Sequence, residues 1–258
     1  MFLDDSGTEI MRQIHAEFRS GFEFVREINE AANSLTSQSS IGSSDLQQLL
    51  IASLFLRSLT TYQSTILVIE RGLPAEGKIL ARSLLEILFR ISAISKDIKY
   101  AEIYVNEDQI LRRKLINKSK LLSEPLRSKF EIDKITKLKV EISDDINARM
   151  IEEKNSQWYA EQSGLSDFYH SAYSIFSISV HASARDLESH LILDKEKKII
   201  GFEIGPNKTE IDLILITIAE AMIMIISSAK SIFPERALAM LPELREKLER
   251  LNAAINTK

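Results

Sequence analysis

Apolar residues recur along most of this chain at three- and four-residue intervals, the spacing that lays one side of an α-helix against a core. From Thr8 to about Ala32 the apolar positions are Ile10, Ile14, Phe18, Phe22, Val25 and Ile28, with polar residues opposite, which predicts a first helix. Ser34 to Ser44 is a small-polar linker. Ser44 is placed to cap a second helix that continues to Glu70. Gly72 supplies a C-terminal stop there, and Pro74 a first-turn start for the next helix.

That third helix, Pro74 to about Ser95, is apolar nearly all round, which predicts a central place in a bundle. It nevertheless carries Arg82, Glu86 and Arg90 at four-residue spacing. Burying an unpaired charge is costly, so the three must pair with each other, with another helix or with a ligand. The next two segments thin out. Tyr100 to Leu122 crowds Arg112, Arg113, Lys114, Lys118 and Lys120 together, a run that reads as phosphate-facing or as a solvated face balanced by nearby carboxylates. Pro125 to about Asn155 keeps a narrow stripe of Leu126, Phe130, Ile135, Leu138, Ile142, Ile146 and Met150, as in an arm standing off the main bundle.

Gly164 breaks the pattern and Ser166 is placed to cap a helix running from Ser166 to Leu193. On it Tyr169, Tyr173, Ser177, His181 and Arg185 recur every fourth residue among apolar neighbours, so each stacks over the turn before it. Two short apolar runs, Leu191–Leu193 and Ile199–Ile204, flank a charged turn and predict one hairpin. Thr209 is placed to cap an apolar helix ending near Phe233, and Pro234 opens an amphipathic one through Leu241, Leu244, Leu248 and Leu251. The fold expected is all-α: an antiparallel helical bundle with a protruding charged helical pair and one short β-hairpin. Its parts are an N-terminal helix (1–34), a main bundle (45–233) that includes the arm (100–155) and the hairpin (191–205), and a C-terminal amphipathic helix (234–258).

Composition narrows this picture. Eight glycines and five prolines in 258 residues suit long helices with few tight turns. The absence of cysteine excludes disulfides, thiolate zinc sites and cysteine nucleophiles. MFLDDSGTEI has acidic residues where a secretory signal would be basic and then apolar, so a cytoplasmic location is expected. A net charge of -4 argues against a broad nucleic-acid surface. The apolar run Leu213 to Ser228 is interrupted by Glu220 and falls short of the roughly 20 residues of a membrane span, so a buried helix is expected.

The familiar phosphate-loop, dinucleotide, zinc-protease, calcium-loop and nucleophile-elbow signatures are missing, as are the paired Glu-x-x-His motifs of di-iron bundles. No metal or cofactor is expected. What remains is a polar set of Arg82, Glu86, Tyr169, Tyr173, Ser177, His181 and Glu220. Glu220, alone among apolar neighbours, should also be paired in the core. Such a set is a network that fixes helix register, or a site for a small polar or phosphorylated ligand. Ser177 and His181 lie four apart on one helix with no apparent oxyanion hole, which argues against a nucleophilic triad. His15 reads as a surface residue and His170 as a flank residue.

ARSLLEIL (Ala81 to Leu88) followed by YSIFSISVHAS (Tyr173 to Ser183) resembles the bacterial domain-of-unknown-function family 5677, in which an ARxLLE-like helix precedes a Y-x-x-x-S-x-x-x-H helix. The resemblance covers roughly residues 45 to 230 and implies a fold and a site more than an activity. Arg185-Asp-Leu-Glu-Ser-His190 is also similar to the R-x(4–6)-H signature of HEPN ribonucleases, helical proteins of toxin–antitoxin and phage-defence systems. That resemblance implies a dimer cutting RNA without a metal, with His190 as acid or base and Arg185 stabilising charge on the phosphate.

Two readings follow. The first is an intracellular, self-associating binding protein with a buried Arg82/Glu86/Ser177/His181 site for a small ligand or a partner interface; His181 then faces Arg82 and Glu86. The second is the ribonuclease, catalytic through Arg185 and His190, with both open to solvent at a two-fold interface and His181 in support.

Overall fold

The structure, a computed structural model, describes residues 6–39, 44–119, 121–127, 131–180, 187–203 and 205–256. It is helical throughout except for a two-stranded antiparallel sheet. In chain order the helices are α1 (Ser6–Glu17), α2 (Arg19–Thr36), α3 (Leu46–Ile69), α4 (Pro74–Ile94), α5 (Ile98–Ser119), α6 (Glu124–Arg127), α7 (Ile132–Ala148) and α8 (Ser156–Ser163). There follow α9 (Ser166–Phe168), a π-helical turn (Tyr169–Tyr173) and α10 (Ser174–Val180). Strands β1 (Leu191–Leu193) and β2 (Ile199–Phe202) precede α11 (Ile211–Ser228) and α12 (Leu241–Asn256).

α4 is the axis of the bundle. Its Leu84, Leu85, Leu88, Phe89, Ile91 and Ile94 are fully buried, because α3, α8, α10 and α11 pack around it. α3 reaches α4 through a turn that places Gly72 in the left-handed region at φ 74°, and Pro74 opens α4 where a missing N–H costs nothing. Close packing of the pair requires Gly77, since a Cβ there would fall 2.4 Å from Ile69 Cγ2. α2 is tied to α3 by the buried Tyr62 hydroxyl, which donates to the Val25 carbonyl at 2.8 Å. α11 has a mean hydropathy of 2.1 over its 18 residues, enough by length and composition to cross a membrane, yet 61% of it is buried inside the bundle.

α5 and α7 pack on each other around a separate small cluster of Ile110, Ile142 and Ile146. The arm's apolar stripe is shorter than its spacing suggests. Leu138 and Met150 are 46% and 84% exposed, and Phe130 lies outside the described residues. Of its basic residues, Arg112 pairs with Asp108 and Lys114 with Glu153, so part of the run is a balanced, solvated face.

Several local expectations are corrected. The first helix is two, separated at Phe18, whose φ of -108° and ψ of 30° leave the helical region. Asp45, one residue beyond Ser44, caps α3 by accepting from the Gln48 amide at 3.0 Å. Leu165 holds the N-cap position before Ser166, and Glu210 that before α11, in place of Thr209; neither caps through its side chain. His15 is half-buried, 3.3 Å from the buried carboxylate of Glu70, which Arg26 also pairs at 2.6 Å. α12 starts at Leu241, after a 3-10 turn over Glu235–Leu238, and seats Leu244 in the core. The hairpin pairs Leu191 with Phe202 and Ile192 with Gly201, and a bulge follows Ile192.

Candidate functional site

Arg82, Glu86 and Arg90 fall on one stripe of α4 because successive members are one turn apart. That stripe faces α10 and α8. Arg82 donates from Nε to Ser177 Oγ at 3.0 Å and from a terminal nitrogen to Tyr173 OH at 2.7 Å. Its other terminal nitrogen lies 3.1 Å from Glu86 Oε1. The same carboxylate oxygen accepts from Tyr173 OH at 2.9 Å. Arg90 stands on the far side, 3.7 Å from Glu86 Oε2, and donates to the Glu86 carbonyl at 3.1 Å.

The π turn sets the height of Tyr173. A π turn admits one extra residue between bonded positions and so shifts the side chains that follow it. Tyr173 is thereby buried against Phe89, ring centroids 5.8 Å apart, with its hydroxyl at the Arg82–Glu86 pair. Tyr169 stacks on Tyr173 at 4.8 Å, and the two rings form an apolar lid over Phe89. Burial raises the Tyr173 phenol above its ordinary value; Glu86 adds to this, while Ser156 and Arg82 oppose it. It stays protonated at neutral pH and donates to Glu86.

Beyond Arg90 the polar seam continues through residues that sequence spacing does not single out. The Arg90 guanidinium sits 5.5 Å from the centre of the Tyr159 ring. Tyr159 donates its hydroxyl to Glu107 at 3.0 Å, and the Lys154 amide donates to the same oxygen. Burial raises the Glu107 carboxyl above its ordinary range, against the pull of those two donors, and burial likewise raises the Tyr159 phenol. Nothing in the linear pattern marks Tyr159 or Glu107, because they meet α4 only through the tertiary crossing.

Chemically, the cluster is a set of fixed hydrogen-bonding groups. Ser177 has its proton committed to the Tyr173 carbonyl at 2.7 Å and its oxygen to Arg82, so among the described residues no base activates it. No group of three or more metal-ligating side chains is found among the described residues. One edge is open: the side chains of Arg82 and Glu86 are 23% and 26% exposed.

The structure thus brings together Arg82, Glu86, Tyr173 and Ser177. Tyr169 joins through its ring and not its hydroxyl, which makes no hydrogen bond among the described residues. His181 and Arg185 lie outside the described residues. His190 is exposed and closes a 3-10 turn, its carbonyl accepting from the Glu203 amide at 2.8 Å. Glu220 is a correction: it sits half-buried on the outer stripe of α11 and forms no ion pair or hydrogen bond among the described residues. Its one neighbouring solvent edge is enough to keep the carboxyl hydrated, so a partner in the core is not required.

Glu220 carries a pH prediction. Burial raises its carboxyl above the ordinary value, so the folded state binds the proton more tightly than the unfolded chain. Stability from this group is therefore complete below the ordinary glutamate value of about 4.3 and declines as pH rises through the raised one. Glu220→Gln is expected to melt higher than the parent at pH 7.5, with the gap closing at pH 4.5. Equal gaps in thermal melts at the two pH values would show that its burial has no energetic weight.

A family model described as a family of unknown function, DUF5677, matches residues 48–199. The matched stretch holds α4, α8, the π turn and α10, hence every member of the cluster, and it stops short of α11 and α12. Comparisons with curated proteins and with solved structures found no match.

Proposed function

The chain belongs to the family of unknown function DUF5677, and we propose that it is a binding protein whose Arg82–Glu86–Tyr173–Ser177 cluster takes a small polar ligand at its open edge. The observation that carries this is the arrangement of Arg82. Its guanidinium is held by two hydroxyls and one carboxylate, all on rigid helices, with 23% of the side chain still reaching solvent. Groups fixed in this way lose little freedom when a ligand binds, which is what a selective polar site needs. Glu86 beside Arg82 supplies an acceptor next to the donors. The pair therefore suits a hydroxylated or zwitterionic molecule better than a phosphate, whose charge Glu86 would repel.

The test is thermal stabilisation of the protein by amino acids and by simple sugars. A ligand at about 100 times its Kd stabilises by about 2.7 kcal/mol. For a chain of this size that is a rise of roughly 5–10 °C. The rise should vanish in Arg82→Gln and in Tyr173→Phe, provided circular dichroism shows both variants folded. No stabilisation by either class overturns the reading. So does cleavage of RNA in EDTA that is lost in His190→Ala, which would establish the HEPN-type ribonuclease instead.

A further inference from the structure

A second cavity, of about 370 Å³, opens at the C-terminal end of α4, beyond Arg90. Three cations line it: Lys96 just past α4, Lys230 just past α11, and Arg245 on α12. Six serines line it as well, two of them buried, Ser92 and Ser163. No carboxylate lines it, although the chain has 37 acidic residues to 33 basic ones. None of the three cations forms an ion pair with a carboxylate among the described residues, whereas Arg112, Lys114, Lys208 and Lys247 all do.

Helix ends account for part of this. Exposed carbonyls at a helix C-terminus attract cations, and Lys96 Nζ indeed reaches the Ser163 carbonyl at 2.7 Å and that of Gln162 at 3.3 Å at the end of α8. Those carbonyls explain Lys96 and leave Lys230 and Arg245 unexplained. Arg245 spends one nitrogen on Ser227 Oγ at 2.8 Å and keeps the rest of its fork of donors. The Ser92 and Ser228 hydroxyls lie 2.8 Å apart in the cavity wall, each able to turn its proton elsewhere. Leu165 and Met224 complete the lining with apolar surface. Three like charges and a set of rotatable donors, with no acceptor carboxylate, form the complement of a multiply charged anion.

We propose that this cavity binds the phosphate group of a small phosphorylated molecule. Arg245 and Lys230 hold the phosphate oxygens at the rim, Lys96 completes the charge balance, and the serine hydroxyls fill the remaining acceptor positions. Leu165 and Met224 receive the less polar remainder of the molecule. The site is separate from the Arg82 cluster, and the proposal does not depend on the function assigned to that cluster.

The experiment titrates inorganic phosphate, and separately glycerol phosphate, into the whole protein at constant ionic strength, followed by phosphorus NMR and isothermal calorimetry. Expected is saturable binding of both, weakened at least tenfold in Arg245→Gln and in Lys230→Gln and unchanged in Arg82→Gln. Both rim side chains are exposed, so these variants should fold; a melting point within a few degrees of the parent confirms it. Tighter binding of glycerol phosphate than of phosphate identifies a phosphate ester as the ligand class, and equal binding identifies the free ion. No saturable binding of either, or binding that the Arg245 and Lys230 variants retain, overturns the proposal.

Discussion

Phe89→Ala is expected to be the most damaging single substitution near the site, costing about 3–5 kcal/mol. Phe89 is fully buried at the centre of α4 and touches the rings of both Tyr169 and Tyr173. Truncation removes the transfer free energy of the ring and leaves a cavity beneath the π turn. Helix propensity pulls the other way, since alanine is the better helix former by a few tenths of a kcal/mol, too little to matter. Denaturant titration should show the loss, and near-ultraviolet circular dichroism should show the two tyrosines losing their fixed environment. Phe89→Leu keeps most of the volume and should cost less than half as much. A loss under about 1 kcal/mol for Phe89→Ala would mean that α10 does not rest on this ring.

Gly72→Ala comes next. The residue has φ 74°, a region where an L side chain costs roughly 1–2 kcal/mol. Space is short as well. A Cβ at Gly72 would lie 2.6 Å from Pro206 Cβ and 3.0 Å from Pro206 Cα. Relief would have to come from moving backbone, which typically adds about 1–3 kcal/mol. The same contact carries a hydrogen bond from the Asn207 amide to the Gly72 carbonyl at 2.9 Å, which joins the α3–α4 turn to the segment leading into α11. Roughly 2–5 kcal/mol is therefore expected in total, read as a fall in the denaturation midpoint. Pro206→Gly in the Gly72→Ala background separates the two contributions: it should restore the clash part and leave the strain part. A Gly72→Ala variant as stable as the parent would rule out the left-handed turn.

How much of this was legible beforehand depends on whether the signal was local. Helix positions were, because a 3.6-residue period repeats within the segment it describes. The central place of α4 followed from its apolar circumference, and the ends of α3 and α4 from Gly72 and Pro74. The break at Phe18 was not visible, since Phe18 keeps the apolar period across it. Arg82, Glu86, Tyr173 and Ser177 drew notice through chemistry alone: charges and hydroxyls on otherwise apolar helices. The same logic failed for Glu220, because the rule that a lone charge needs a partner holds only where no solvent edge is within reach. Tyr159 and Glu107 carried no mark at all. The serine-lined cavity gathers residues from Ser92 to Arg245 across five segments, each unremarkable alone, and only the packing of the helices collects them.

The π turn has a further consequence, which concerns counting. An α-helix rotates about 100° for each residue, given 3.6 residues per turn. The wide turn at Tyr169–Tyr173 holds one residue more than a regular helix would need between α9 and α10. Deleting a single residue there would let the segment close into ordinary helix. Every side chain after it would then swing about a quarter of a circle relative to those before it, and Ser177 would leave Arg82. Composition would be almost unchanged, and so would the helical signal in circular dichroism. The site is thus written in the phase of this helix as much as in its residues, and an insertion or deletion of one, at this place, erases it while leaving the bundle standing.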